Sequence, residues 1–149
     1  MDIRLAATDA DIERCFPVMA ELRPHLRAED WVARVRRQER GGYRLAFLVD
    51  NGAVRAVAGF RTLEFLAWGK ILYIDDLVTA GAERSRGHGG ALFDWCVALA
   101  QREGCDELHL DSGVQRFDAH RFYLRKGMRI SSHHFALEAP FRAGTKSAT

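Results

Sequence analysis

The chain has 149 residues, 48% of them hydrophobic and 28% charged, and a net charge of only +2. That length supports one sizeable core, and the small net charge gives no global attraction to nucleic acid or anionic membranes. Three cysteines at 15, 96 and 105 without C-x-x-C spacing argue against a disulfide framework; no run reaches the about 18 apolar residues of a membrane span and Met1–Asp9 lacks a signal-like apolar region, so a cytoplasmic protein is the expectation.

Residues 2–6 alternate like a short strand, and Thr8 or Asp9 can cap a helix with Ile12, Phe16, Met19 and Leu22 on one face, ended or bent by Pro24. A second helix is expected from about Ala28 to Arg40, with Trp31, Val32 and Val35 against a charged face and Gly41-Gly42 as its stop. From Tyr43 the period becomes two. Tyr43, Leu45, Phe47 and Val49 share a face, Asn51-Gly52 is a hairpin turn, and a second arm carries Val54, Ala56, Ala58 and Phe60 toward Phe65. Trp68-Gly69 turns the chain into Lys70–Thr79, an apolar run broken only by Asp75-Asp76. Alternation would send those two carboxylates to opposite faces, and uncompensated carboxylates in a central strand are costly.

A polar loop over 80–85 leads into Arg86-Gly87-His88-Gly89-Gly90 and then a helix with Leu92, Trp95, Cys96 and Leu99 on one side. Glycines before a helix let backbone amides approach an anion closely, and Arg84 and Arg86 add planar donor forks suited to phosphate. No Gly-Lys-Ser/Thr follows, so the loop is not a P-loop, and the glycine spacing does not fit a dinucleotide fingerprint. After Gly104, residues 107–110 read as a strand, Asp118 as the cap of a helix ending at Lys126-Gly127, and His133–Glu138 as a final strand. The order β-α-α-β-β-β-α-β-α-β predicts an α/β domain over residues 1–140 with a mixed, mainly antiparallel sheet and a tail over 141–149. The central β-α-β unit should place two parallel strands side by side. The six histidines have no ligand spacing among them, and no metal site is expected.

Two segments together carry a resemblance. R-G-H-G-G-A (Arg86–Ala91) resembles the arginine–x–x–glycine–x–glycine/alanine loop of the GNAT superfamily of N-acetyltransferases. D-A-H-R-F-Y-L-R-K-G-M (Asp118–Met128), about thirty residues on, is similar to that superfamily's alanine–x–x–phenylalanine–tyrosine signature. The stretch Arg116–Tyr123 and the closing H-H-F-A-L are similar to aminoalkylphosphonate N-acetyltransferases and their relatives.

The resemblance implies acetyl-CoA bound where the strands ending at Thr79 and Asp111 splay apart. Its pyrophosphate would lie on the amides of Arg86, Gly87, His88, Gly89, Gly90 and Ala91, with Arg84 near by. Its pantetheine arm would pair with the backbone of Leu77, Val78 and Thr79, one amide polarising the thioester carbonyl. Tyr123 matches the position that protonates the leaving thiolate, against the plainer reading of a core tyrosine. Asp76 matches an acidic position before the leucine–valine pair, as base, as the carboxylate that orients the ammonium through water, or simply as an arginine's partner. Arg116 stands three residues before Ala119, where many relatives carry asparagine, and could meet a phosphate or an anionic substrate instead. His120 would cap or line the cofactor groove.

The function expected from these residues is acetyl transfer from acetyl-CoA to a primary amine of a small molecule, with a homodimer as a possible assembly. A protein lysine or N-terminal amine acceptor, and a non-catalytic acyl-CoA-binding domain, are the alternatives. Acceptor specificity would come from the first two helices and the turn near residues 66–70, where Glu21, His25, Glu29, Asp30 and Glu64 supply polar groups.

Overall fold

The computed structural model describes residues 1–84 and 86–141, and of residue 83 the backbone alone; the expected tail lies, from 142 on, outside them. The elements are β1 (Asp2–Leu5), α1 (Asp9–Leu22), α2 (Ala28–Glu39), β2 (Arg44–Asp50), β3 (Ala53–Phe65), β4 (Gly69–Thr79), a 3-10 turn (Gly81–Glu83), α3 (His88–Arg102), β5 (Glu107–Leu110) and α4 (Phe117–Arg125). The chain divides into two compact units. Met1–Leu110 holds the sheet and α1–α3, and the segment from Asp111 onward holds α4.

The sheet runs β1-β2-β3-β4-β5, antiparallel except for the parallel pair β4–β5, which α3 connects as a crossover. Strand alternation sorts the core into two layers. Tyr43, Leu45, Phe47, Val57 and Val78 join Ile12, Cys15, Met19, Trp31 and Val35 of α1 and α2 in one buried cluster. On the other face Phe60 meets Trp95 of α3 with ring centroids 6.1 Å apart, while Arg44 forks onto Glu103 at 2.6 and 2.8 Å beyond the helix end. Cys15 and Cys96 are fully buried, and burial pushes both thiols up to about 12.

The helix ends follow local rules. Thr8 caps α1 by accepting from the Asp11 amide at 3.1 Å. Pro24 disfavours helical backbone at the residue before it, and Arg23 leaves the helix there with φ −121° and ψ 71°. Asn51 (φ 50°) and Gly52 (φ 75°) supply the two positive-φ positions of the β2–β3 hairpin.

Two expectations are corrected. Asp118 is not the cap of α4: Arg116 holds that position and Asp118 lies in the first turn. Residues 133–138 form no strand. Their alternation marks a segment able to lie in a sheet, but a strand exists only where a second backbone completes the ladder, and none does so among the described residues.

Candidate active site

The parallel pairing of β4 with β5 runs from Ile71↔Glu107 to Ile74↔Leu110 and stops. β4 continues for five more residues, paired with β3 alone up to Ala56↔Thr79. One edge of 75–79 therefore has no strand against it among the described residues, the opening expected between the two parallel strands.

That edge leads straight to the start of α3. Gly87 is the N-cap, in left-handed backbone at φ 83°, a conformation that favours glycine. The Ala91 amide closes the first helical hydrogen bond, on the Gly87 carbonyl at 2.9 Å. The amides of His88, Gly89 and Gly90 are the three helical positions before it, and an α-helix offers them no acceptor four residues back. Gly89 sits against the end of β4: a Cβ there would stand 2.6 Å from Thr79 Oγ1. Glycine at 89 is thus required by helix–strand packing, independently of any ligand. His88 turns its ring inward, 4% exposed, with Nε2 3.1 Å from Asp50 Oδ2; only its backbone faces the loop. Arg84 and Arg86 are exposed beside it. Leu77, Val78, Thr79 and Gly87–Ala91 are thereby brought together within the first unit.

Asp75 and Asp76 depart from simple alternation. The register passes from Phe60↔Ile74 to Gly59↔Asp76, leaving Asp75 as the extra residue of a β-bulge. The bulge turns both carboxylates toward α1 and α2 rather than to opposite faces. Asp75 takes a two-pronged ion pair from Arg61 (Nε–Oδ1 3.1 Å, Nη2–Oδ2 2.6 Å), and Arg61 also donates to Gln38 of α2 at 3.1 Å. Asp76 accepts from Arg23 Nε at 2.8 Å and from the Tyr43 hydroxyl at 2.9 Å. Arg23 reaches across to the Asp75 carbonyl as well, at 3.0 Å. Burial, and then the Asp76 carboxylate, hold the Tyr43 phenol well above its ordinary pKa; it is a fixed donor.

Beside Asp76 opens a cavity of about 250 Å³ between α1, α2 and the sheet. Its floor is apolar (Met19, Trp31 and Val35, each at most 4% exposed), and Asp76 and Tyr43 form its polar end. Of the polar residues expected to set specificity, His25 lines this cavity. Glu21 instead ties down the Gly81 amide at 3.0 Å, Glu29 pairs with Arg27, and Asp30 and Glu64 are exposed.

Tyr43, Arg23 and Gly59 are the residues that sequence reasoning passed over. Tyr43 was legible only as one member of an apolar face. The available signal was Gly59, an isolated glycine inside a strand, which marks a close approach. Here the Tyr43 hydroxyl occupies the space a Cβ at 59 would fill.

In the second unit, α4 carries the other candidates. Arg116 is its N-cap, and Ala119 and Tyr123 stand one turn apart on one side of it. Tyr123 is half-buried, and burial raises its phenol above 10 against the opposing pull of Arg116. His120 donates from Nε2 to the Gly113 carbonyl at 2.7 Å, fastening the loop before the helix.

The sequence pattern of the acetyltransferase (GNAT) family matches residues 5–128. The chain belongs to that family. An uncharacterised N-acetyltransferase of Bacillus subtilis is 38% identical over 122 residues, 80% of this chain and 86% of that protein. The aminoalkylphosphonate N-acetyltransferase of Salmonella typhimurium is 36% identical over 62 residues, 42% of this chain and 40% of that one. Among solved structures, a protein described as a transcriptional regulator of Bacillus halodurans superposes with TM-score 0.80 at 25% identity, covering 92% of this chain and 98% of its own. The GNAT chain is accordingly an acyltransferase, of a family that generally uses acetyl-CoA. Its match spans both compact units.

Proposed function

We propose that this enzyme moves the acetyl group of acetyl-CoA to a primary amine of a small molecule. The observation that carries the reading is the β4 edge left open beyond Ile74 beside the glycine-rich start of α3. An extended, amide-rich ligand can add to that edge as a strand would. Its phosphates then meet the His88, Gly89 and Gly90 amides and the positive end of the helix, with Arg84 and Arg86 as charge. The size of the cavity beside Asp76 supports a small acceptor over a protein chain.

Acetyl-CoA supplies an activated acyl group, and this chain's residues do the rest. A β4 amide among Leu77, Val78 and Thr79 polarises the acyl carbonyl. Asp76, held in place by Arg23 and Tyr43, orients the acceptor ammonium and draws off its proton through water. Tyr123 donates a proton to the departing sulfur: a phenol, with an ordinary pKa of about 10, is protonated at neutral pH, and burial, which raises it further, leaves that state unchanged. Arg116 and Ala119, at the head of α4, would be further residues toward acetyl-CoA.

The test is Tyr123→Phe, which keeps the ring and removes the proton donor. Acetyl-CoA affinity should stay within a few-fold while kcat falls by about 10²–10⁴. The loss should shrink with a thioester of a more acidic thiol. Near-wild-type turnover in a folded variant, with chemistry rate-limiting, overturns the role of Tyr123.

A further inference from the structure

The first turn of α3 has little of its own to hold it in place. Of residues 87–90 only His88 is not a glycine, and Gly87, as N-cap, brings no side chain to the open amides. Glycine is the least favourable helical residue after proline, because it surrenders the most backbone freedom on ordering. Local sequence therefore leaves loose the very amides that the acetyl-CoA reading needs aimed at phosphate.

His88 carries the one side chain that can fix this stretch from within. Its ring is buried, at 4% exposure, and Nε2 lies 3.1 Å from Asp50 Oδ2. That hydrogen bond holds the Asp50 carboxyl below the usual carboxylate range. Asp50 is therefore ionised at neutral pH and can only accept, so Nε2 carries the proton. The anchor itself is firm. Asp50 ends β2, pairs with Ala53 across the hairpin turn, and accepts on its backbone carbonyl from Arg55 Nε at 3.2 Å.

Stability alone does not account for a histidine here. Its Nδ1 is buried with no hydrogen-bond partner among the described residues, a cost that an apolar side chain such as methionine would not incur. What the histidine adds is direction: one oriented bond sets residue 88, whose neighbours on both sides have no side chain to do so. We propose that His88 is a positioning residue for acetyl-CoA, pinned by Asp50 so that the amides of residues 88–90 stand ready for the diphosphate before it arrives. Donors ordered in advance spare the ligand the cost of ordering the turn. This rests on the acetyl-CoA reading and adds to it a pair of side chains that act through the backbone.

The experiment measures by calorimetry the affinity for coenzyme A and for pantetheine, which lacks the diphosphate and the nucleotide. Wild type is compared with His88→Met, His88→Gln, Asp50→Ala and the double variant His88→Met with Asp50→Ala. Coenzyme A should bind about tenfold to a hundredfold more weakly in His88→Met and in Asp50→Ala, the worth of a hydrogen bond to a charged group. Pantetheine affinity should hold, and the double variant should be no weaker than His88→Met. His88→Gln, whose amide can still donate to Asp50, should keep part of the affinity. Asp50→Ala tests the sign, since removing a carboxylate near a phosphate site would by charge alone tighten binding. The Asp50 side chain is 34% exposed, so its truncation opens no cavity and the test stands even if His88→Met does not fold. In acetyl transfer the KM for acetyl-CoA should rise, with kcat and the KM for the amine nearly unchanged. The Tm of free His88→Met should move little.

Unchanged or tighter coenzyme A binding in Asp50→Ala, an equal loss for coenzyme A and pantetheine, or additive losses in the double variant overturns the proposal. Equal binding of coenzyme A and pantetheine by the wild type removes the phosphate cradle and the pin with it. If coenzyme A binding depends on His88 and Asp50 as expected yet no amine is acetylated, the pin stands and the acetyl-transfer reading falls.

Discussion

Replacing Gly59 by alanine tests whether the geometry around Asp76 is imposed by packing. Glycine in a strand interior ordinarily costs about 0.5–1 kcal/mol relative to alanine, so in open space Gly59→Ala would stabilise the protein. The space is not open. A Cβ at 59 would overlap the Tyr43 hydroxyl and stand 2.7 Å from its Cε2. Tyr43 is 5% exposed, with Arg61 lying over its ring at 5.4 Å, so the ring has little room to retreat. Overpacking of this kind costs about 1–3 kcal/mol. Pulling the phenol off Asp76 removes a hydrogen bond to a charged acceptor, about 1.5–3 kcal/mol more. After the backbone gain is deducted, a net loss of about 2–5 kcal/mol is expected, equivalent to about 4–20 °C in Tm for a chain of this size. Urea unfolding should show a lower midpoint at unchanged slope. In a Tyr43→Phe background, where the clashing oxygen is absent, the cost of Gly59→Ala should fall by at least about 1 kcal/mol. A Gly59→Ala protein as stable as wild type, or strict additivity with Tyr43→Phe, would refute the reasoning.

Gly89→Ala drives its Cβ into Thr79 Oγ1, so a loss of about 1–3 kcal/mol is expected. Thr79→Ala in the same chain should recover most of it by thermal unfolding, and a loss that persists would mean that the contact with Thr79 is not its source. Arg44, as the principal cause, holds the Glu103 carboxyl below its ordinary 4.5. Its folded value being depressed, the pair contributes stability that is present above about pH 4.5 and lost as pH falls through the lower folded value. Glu103→Gln should therefore flatten the acid limb of stability against pH, and an unchanged slope below pH 5 in urea titrations would count against the linkage.

Much of the fold was legible because it is written in local rules. The apolar period of α1 and α2, the Thr8 cap, the Asn51-Gly52 hairpin and the strand–glycine–helix passage at residues 70–99 each depend on residues within a turn or two of one another. Family membership was legible for the same reason, since Arg86–Ala91 and Asp118–Met128 are contiguous motifs. Where a local rule needed a distant partner, it failed. The alternation of His133–Glu138 could not say whether a second backbone would complete a ladder, and none does among the described residues.

The acceptor side of the site was decided by tertiary structure. Asp76 meets Tyr43 across 33 residues and Arg23 across 53, distances over which sequence periodicity holds no information. A single extra residue, Asp75, in the ladder with β3 overrides the alternation that would have parted the two carboxylates. The sequence by itself determined which residues could do chemistry. Only the packing of α1 and α2 over a bulged strand decided which of them meet, because register and side-chain contact are properties of two segments together and belong to neither alone.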